Sequence, residues 1–310
     1  MNTEPKTATQ PTVQPTKELL VYVNGEYVPK SEASISVYDH GFLYGDGVFE
    51  GIRAYGDEVF KLDEHLERLF RSAHFLQIDI PHTLDELRSI VLETLKINQL
   101  YEGAYIRLVV SRGKGDLGIN PKKCPGPATV VVIADKIQLY PPELYEVGIS
   151  TIVCSTRKNN PQCINPMVKA TQYLNNILGV IEANNAGVLE AIMLTTGGYV
   201  TEGTADNIFI AKKNKILTPP TYLGILEGIT RNSIIEIALE LGYQVSEERF
   251  TTYELYTADE CWFTGTGAEL IPVISIDGRK VGNGKPGPVF LRLKSAFKEY
   301  VKKHGTKIPR

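Results

Sequence analysis

The chain has 310 residues, enough for about two domains at roughly 150 residues each. Its composition (43% hydrophobic, 22% charged, 9% aromatic) is that of an ordinary globular protein and excludes a collagen-like, low-complexity or wholly disordered chain. With 33 basic against 36 acidic residues the formal net charge is −3, so there is no basic surplus of the kind a nucleic-acid surface needs.

Residues 1–17 (MNTEPKTATQPTVQPTK) lack aromatics and are rich in Thr, Pro and Gln. Such a stretch cannot bury enough apolar surface to offset its ordering entropy and reads as a disordered extension. It has neither the apolar core of a signal peptide nor the arginines of a transit peptide. Residues 18–134 then read as a small α+β domain. Strand 19–23, a type I′ turn at Asn24-Gly25 and strand 26–28 open it. Residues 48–61 repeat the hairpin pattern around Gly56-Asp57. A helix capped by Asp63 follows, with Leu66, Leu69, Phe70 and Ala73 on one stripe. Thr83 caps a second helix, whose apolar face is Leu84, Leu87, Ile90, Val91 and Leu95. Strands 104–111 and 129–134 complete the unit.

Residues 135–147, with Pro141-Pro142, read as the connection to a large α/β domain over 148–310. Strands are expected there at 149–154, 190–195 and 207–211. Helices are expected over 173–185 and 230–241, the latter stopped by Gly242. The longest apolar runs, such as 130–134, fall far short of the roughly 20 residues a membrane span requires. Four scattered cysteines form no Cys-x-x-Cys pair, which points away from a zinc site or disulfide framework and toward free thiols in the cytoplasm.

Gly113-x-Gly115-x-x-Gly118 matches the dinucleotide fingerprint in spacing only. It runs into Ile119-Asn120-Pro121 instead of opening a helix, so no free backbone N–H groups would meet a pyrophosphate. Four other segments carry chemistry. Tyr38–Gly51 combines glycines, which permit close backbone approach, with aromatic walls. Lys169 lies in the weakly charged stretch Pro166–Asn176. A lysine is ordinarily a solvated surface group, but among apolar residues its pKa falls and the amine can attack a carbonyl. Gly197–Asn207 holds Glu202 beside a turn. Leu226–Arg231 leads into a helix, whose first N–H groups form a ready anion site.

Together these segments resemble the branched-chain amino acid aminotransferases, within the fold-type IV pyridoxal-phosphate enzymes. The resemblance runs from about residue 19 to about residue 297. YGDGVFEGIR, HLERL, AYIR, GINP, the Lys169 segment, TEGTADNIF, LEGITR and FTGTGAELIPV occur in the family's order. It implies a two-domain α/β (α+β) fold with pyridoxal 5'-phosphate in the interdomain cleft and no metal. It implies that Lys169 binds the cofactor's aldehyde carbon and later carries the proton between substrate and cofactor. Glu202 would face the pyridine nitrogen and Tyr173 the 3′-oxygen, although Tyr173 follows the lysine by four residues where many bacterial members have five. Arg68, Leu226, Ile229, Thr230 and Thr266 would hold the cofactor, Arg68 at its phosphate, although helical spacing alone places Arg68 off the apolar stripe.

On the substrate side the resemblance implies Tyr44, Phe49, Gly51, Tyr105, Arg107, Gly267 and Ala268. Tyr105 and the backbone of Gly267-Ala268 would take the α-carboxylate, while Phe49 and Tyr44 would wall the side chain. Arg107, on the same strand face as Tyr105, would meet the distal carboxylate of glutamate. Leu117 and Ile119 match apolar residues that family members insert into the neighbouring subunit's site, which implies a homodimer at least and leaves a hexamer open. The implied activity is amino transfer from leucine, isoleucine or valine to 2-oxoglutarate, with amino acids and 2-oxo acids as partners and no nucleic acid or membrane. A D-amino acid aminotransferase, an aminodeoxychorismate lyase and a catalytically inactive ligand-binding protein stand as alternatives.

Overall fold

The computed structural model describes residues 18–310; the expected disordered extension lies outside them. The first part of the chain forms β1 (Leu20–Val23), β2 (Glu26–Pro29), α1 (His40–Tyr44), β3 (Gly47–Tyr55), β4 (Glu58–Phe60), α2 (Leu62–Phe75), α3 (Leu84–Ile97), β5 (Ala104–Ser111) and β6 (Thr129–Lys136). Asn24 (φ 49°) and Gly25 (φ 101°) make the β1–β2 turn, both left-handed as a type I′ turn requires. Thr83 caps α3 in a full capping box with Glu86. α2 departs from expectation. Its cap is Lys61, in a left-handed conformation without a side-chain bond, and Asp63 sits in the first turn, accepting from Arg88 Nε at 2.6 Å.

The second part contains α4 (Leu144–Val147), β7 (Ile149–Arg157), α5 (Leu174–Asn185), β8 (Glu190–Leu194), β9 (Asn207–Lys212), β10 (Lys215–Thr218), α6 (Ile229–Glu240), β11 (Gln244–Glu247), α7 (Thr252–Tyr256), β12 (Glu260–Gly265), β13 (Glu269–Ile276), β14 (Arg279–Lys280), α8 (Pro288–Tyr300) and β15 (Gly305–Lys307). One seven-stranded sheet runs β15-β4-β3-β5-β6-β1-β2, with every neighbour antiparallel. The other, mixed, runs β11-β10-β9-β12-β13-β7-β8, with β14 on β13. β15 thus leaves residues 148–310, where the sequence places one large domain, and returns to the first sheet. Its pairing is reinforced where Phe60 of β4 packs edge-on against Phe297 and Tyr300 of α8.

The period-2 alternation of β5 decides what faces what. Ala104, Ile106, Leu108 and Val110 are buried in a core with Leu66, Leu69 and Ala73 of α2 and Leu87, Val91 and Leu95 of α3. Tyr105 and Arg107 consequently point to the opposite face. β3 repeats the division: Val48, Ile52 and Ala54 join that core, and Phe49, Gly51 and Arg53 share the face of Tyr105 and Arg107. The second sheet has a core on each face. Ile208, Ile210, Phe263 and Ile271 lie on one, and Phe209, Trp262 and Leu270 pack on the other with Ile234 and Ile237 of α6 and Phe290 and Phe297 of α8. Among the described residues no helix is long and apolar enough to cross a membrane.

Candidate active site

A cavity of about 490 Å³ lies between the β3/β5 face of the first sheet and the loops at one end of the second. That is within the range of roughly 300–1,000 Å³ of small-ligand sites. Phe49, Gly51, Arg68, Tyr105, Arg107, Lys169, Tyr173, Leu226, Ile229, Thr230, Thr266 and Gly267 all line it. Residues brought together from six separate segments of sequence therefore share one enclosure.

Lys169 opens a short extended segment laid along β3. Phe49 N donates to Lys169 O at 3.0 Å, and Thr171 N to Gly47 O at 2.9 Å. Its amine lies 4.6 Å from the Phe49 ring centroid and 6.0 Å from that of Tyr173. Enclosure by protein, followed by the positive charge of Arg68, lowers its pKa to about 8, with Glu50 opposing. Burial raises the phenol pKa of Tyr173, whose ring meets Phe49 edge-on at 5.1 Å.

Arg68 is 5% exposed although it lies off the apolar stripe of α2, because it has a buried anion to meet. Its Nε and Nη2 donate to Glu50 Oε1 and Oε2, both at 2.7 Å, and Nη1 donates to Glu227 O at 2.8 Å. Of five guanidinium N–H groups, two remain for a ligand. His65 Nδ1 sits 2.8 Å from Glu50 Oε2. Burial alone would raise the Glu50 pKa, but Arg68 and His65 outweigh it and hold the carboxyl down at about 2. Beside Arg68, α6 starts at Ile229 after Gly228 with no side-chain cap bond. Its first amides are left for a ligand, and the helix dipole favours an anion there. Thr264 Oγ1, also in the cavity wall, is buried without a partner. The donor set thus fits a phosphate at one end and a carbonyl carbon at the lysine.

Glu202 does not line the main cavity. It lies in an adjoining crevice that shares Tyr173 and Leu226 with it. Lys158 Nζ is 2.6 Å from Glu202 Oε1, and Asn207 Nδ2 (3.0 Å) and Leu226 N (3.1 Å) donate to Oε2. Asn207 Nδ2 also donates to Leu226 O at 2.9 Å. A Cβ at Gly228 would strike the Asn207 amide, so this glycine permits the close approach. Glu50, His65 and Asn207 fall inside the motifs read from the sequence without being singled out there as site residues, and Lys158 lies outside them. Two other unforeseen acids, Asp206 and Glu190, also border the cavity. Burial, then the charge of Glu190, pushes Asp206 up to about 8.

Arg107 lies over the Phe49 ring, its Cζ 3.4 Å from the centroid. Tyr105 reaches across Gly51, where any Cβ would collide with its hydroxyl. Gly267 lines another wall with Leu139 against it, and Ala268, the next residue of the same turn, is fully buried. Tyr44, Leu117 and Ile119 do not reach this chain's cavity. They are 40%, 61% and 85% exposed, and Gly118 N donates to the Tyr44 hydroxyl at 2.7 Å.

Comparison with known proteins places these features in a family. The family model described as amino-transferase class IV matches residues 47–276. A Methanocaldococcus jannaschii protein bearing a branched-chain-amino-acid aminotransferase name is 51% identical over 93% of this chain and 98% of its own. The branched-chain-amino-acid aminotransferase of Pseudomonas aeruginosa is 38% identical over 91% of this chain and 92% of its own. The crystal structure of the Thermoproteus uzoniensis branched-chain aminotransferase with norvaline superposes with a TM-score of 0.87 at 37% identity, covering 94% of this chain and 100% of that one.

The depressed lysine pKa has a direct readout. Acylation of Lys169 by acetic anhydride in the ligand-free protein, followed by mass spectrometry, should rise with pH around a midpoint of about 8. Arg68→Gln removes the main opposing charge and should move that midpoint upward. A wild-type midpoint near the ordinary lysine value of about 10.4 would show that the amine is solvated.

Proposed function

Because the chain belongs to the class IV amino-transferases, we propose that it uses pyridoxal 5'-phosphate to exchange amino groups between L-leucine, L-isoleucine or L-valine and 2-oxoglutarate. The observation that carries this reading is one enclosure holding a lysine amine of depressed pKa between an anion cradle and a wall that pairs an aromatic ring with an arginine. The relatives' names and the norvaline complex of the Thermoproteus uzoniensis enzyme support it.

Pyridoxal phosphate, when bound, supplies an aldehyde to which amines add and a protonated ring that draws electrons from the bond being broken. The chain's own residues do the rest. The two free N–H groups of Arg68 and the first amides of α6 would bind the phosphate, with the Thr266 hydroxyl beside them. Glu202, held by Lys158, Asn207 and the Leu226 amide in the crevice beside the cavity, would meet the ring nitrogen, and Tyr173 would meet the 3′-oxygen. Lys169 Nζ takes and returns the proton moved between substrate and cofactor; a pKa near 8 suits an amine that must do both near neutral pH. Tyr105 and the Gly267-Ala268 backbone take the α-carboxylate. Phe49 packs on an aliphatic side chain, and Arg107 meets the distal carboxylate when glutamate takes its place. Leu139 and Ile137 add apolar wall at this end.

We also infer a homodimer at least as the active unit. α1 and the 113–120 loop are joined by the Tyr44–Gly118 hydrogen bond and expose Phe42, Leu117 and Ile119, and Val37 just before α1 is exposed too. α5 leaves Leu174, Ile177, Leu178 and Ile181 in solvent. Exposed apolar surface on this scale marks an interaction site. Tyr44 is accordingly assigned with Leu117 and Ile119 to the partner's cavity instead of its own. The cysteines Cys124, Cys154, Cys163 and Cys261 are unpaired, which supports a reducing, cytoplasmic setting.

Lys169→Ala should abolish both turnover and the lysine-linked absorbance of the loaded protein near the visible edge; an unchanged spectrum refutes the assignment. Arg107→Ala should lower kcat/KM for glutamate about tenfold more than for leucine, and an equal loss counts against the two-ended pocket. L-leucine should be a substrate and D-alanine not, with 2-oxoglutarate as acceptor. Light scattering should give a dimer or larger species; a fully active monomer would overturn the shared site.

A further inference from the structure

The turn assigned to the α-carboxylate, residues 265–269, is a hairpin loop between β12 and β13, closed by the pair Gly265–Glu269. At its apex a side chain from the other sheet takes hold of the Gly267 carbonyl. Arg53 leaves β3 on the same face as Gly51 and pairs in register with Tyr105 of β5. Its Nη1 donates to Gly267 O at 2.9 Å, and its Nη2 is 3.5 Å from Glu269 Oε1. The guanidinium also lies 5.4 Å from the Tyr55 ring centroid. The Glu269 carboxylate acts on Tyr55 as well, adding to the burial that raises that phenol's pKa.

Glu269 closes the three-residue loop at φ +56°, the left-handed conformation such hairpins use, and pairs there with Gly265. Arg53 adds a hold on the loop from the other sheet, at the Gly267 carbonyl and beside the Glu269 carboxylate. In a trans peptide, moreover, C=O and N–H point in opposite directions. Drawing the Gly267 carbonyl toward Arg53 therefore turns the Ala268 N–H away from it. One lysine amine could not reach both acceptors, whereas the planar guanidinium fork can.

We infer that Arg53 is a positioning residue for the substrate carboxylate: it clamps the turn through the Gly267 carbonyl and the Glu269 carboxylate, so that the amides on one sheet stay aimed at the anion that Tyr105 on the other sheet also binds. The inference rests on the assignment of this turn to the α-carboxylate. It makes Arg53 a specificity determinant for acids over amines without contact to the substrate.

The test compares L-leucine with 3-methylbutylamine, which has the same side chain and no carboxylate, in single-turnover half-reactions of the cofactor-loaded enzyme. Wild type should strongly prefer leucine. Arg53→Gln should lower kcat/KM for leucine about tenfold or more, chiefly through KM, and leave the amine's rate within about twofold. Cofactor absorbance should not change. Arg53→Lys should recover part of the loss. Glu269→Gln, which spares the bond to Gly267, should show a smaller loss confined to leucine, and it decides the matter if Arg53→Gln does not accumulate as folded protein. Equal losses on both substrates, or loss of cofactor absorbance, would make Arg53 a general support and overturn the clamp. If wild type prefers leucine and Arg53→Gln prefers it equally, the clamp falls and the carboxylate assignment stands. If wild type does not distinguish the two, both fall.

Discussion

A guanidinium can face this cavity because a carboxylate grips it from behind. Arg68 and Glu50 are 5% and 0% exposed, and their bidentate pairing satisfies both carboxylate oxygens and one edge of the fork. Left alone, either charge would be an uncompensated buried ion, a defect that typically costs about 3–5 kcal/mol. Glu50 belongs to the core-facing side of β3, so the grip comes from beneath the cavity floor and leaves two N–H groups directed elsewhere. The same device recurs at the other end, where Lys158 and two amide donors hold Glu202. In both places a buried charge is fixed by a buried partner of opposite sign.

This arrangement divides the work between the two sheets. The first supplies side chains on a rigid strand pair, Phe49 and Gly51 on β3 and Tyr105 and Arg107 on β5. The second supplies backbone: the start of α6 and the turn between β12 and β13. Lys169 is coded in the second part of the chain but is fastened to the first sheet, through backbone bonds to Phe49 and Gly47 and through its own N–H, which donates to Ser72 Oγ at 3.2 Å. The Lys169 amine is therefore held where the two halves meet. The charges of Arg68 and Arg107 reach it from one half, and that of Glu202 from the other.

Further contacts tie the halves into a single frame, among them β15 on the edge of the first sheet, Phe60 on α8, and Arg53 on the β12–β13 turn. The last is the one nearest the substrate side, so the relative placement of the sheets and the direction of the turn's amides are not independent.

Much of this is legible in the chain itself. Hydrophobic periodicity locates the strands around 20–29, 104–111 and 129–134, and turn and cap chemistry locates Asn24-Gly25 and Thr83, because these depend on neighbours a few residues away. Motif order brings Lys169, Arg68 and the α6 start into one reading, and a failed helix start removes the glycine-rich loop from the nucleotide binders. The hairpin over 260–276 and helix α8 do not stand out as elements in the sequence, and Asp63 has the look of a cap that Lys61 in fact provides. Tertiary structure alone decided the rest. Periodicity places Arg68 in solvent, because spacing along a helix does not reveal a carboxylate arriving from a strand that precedes it in sequence. The roles of Glu50, Lys158, Asn207 and Arg53 are likewise invisible, since each depends on tertiary contacts, from His65 on Glu50, 15 residues apart, to Arg53 on Gly267, 214 apart. A sequence determines which groups a chain carries and which local shapes they favour; only the packing of the two sheets determines which buried charges must share an enclosure.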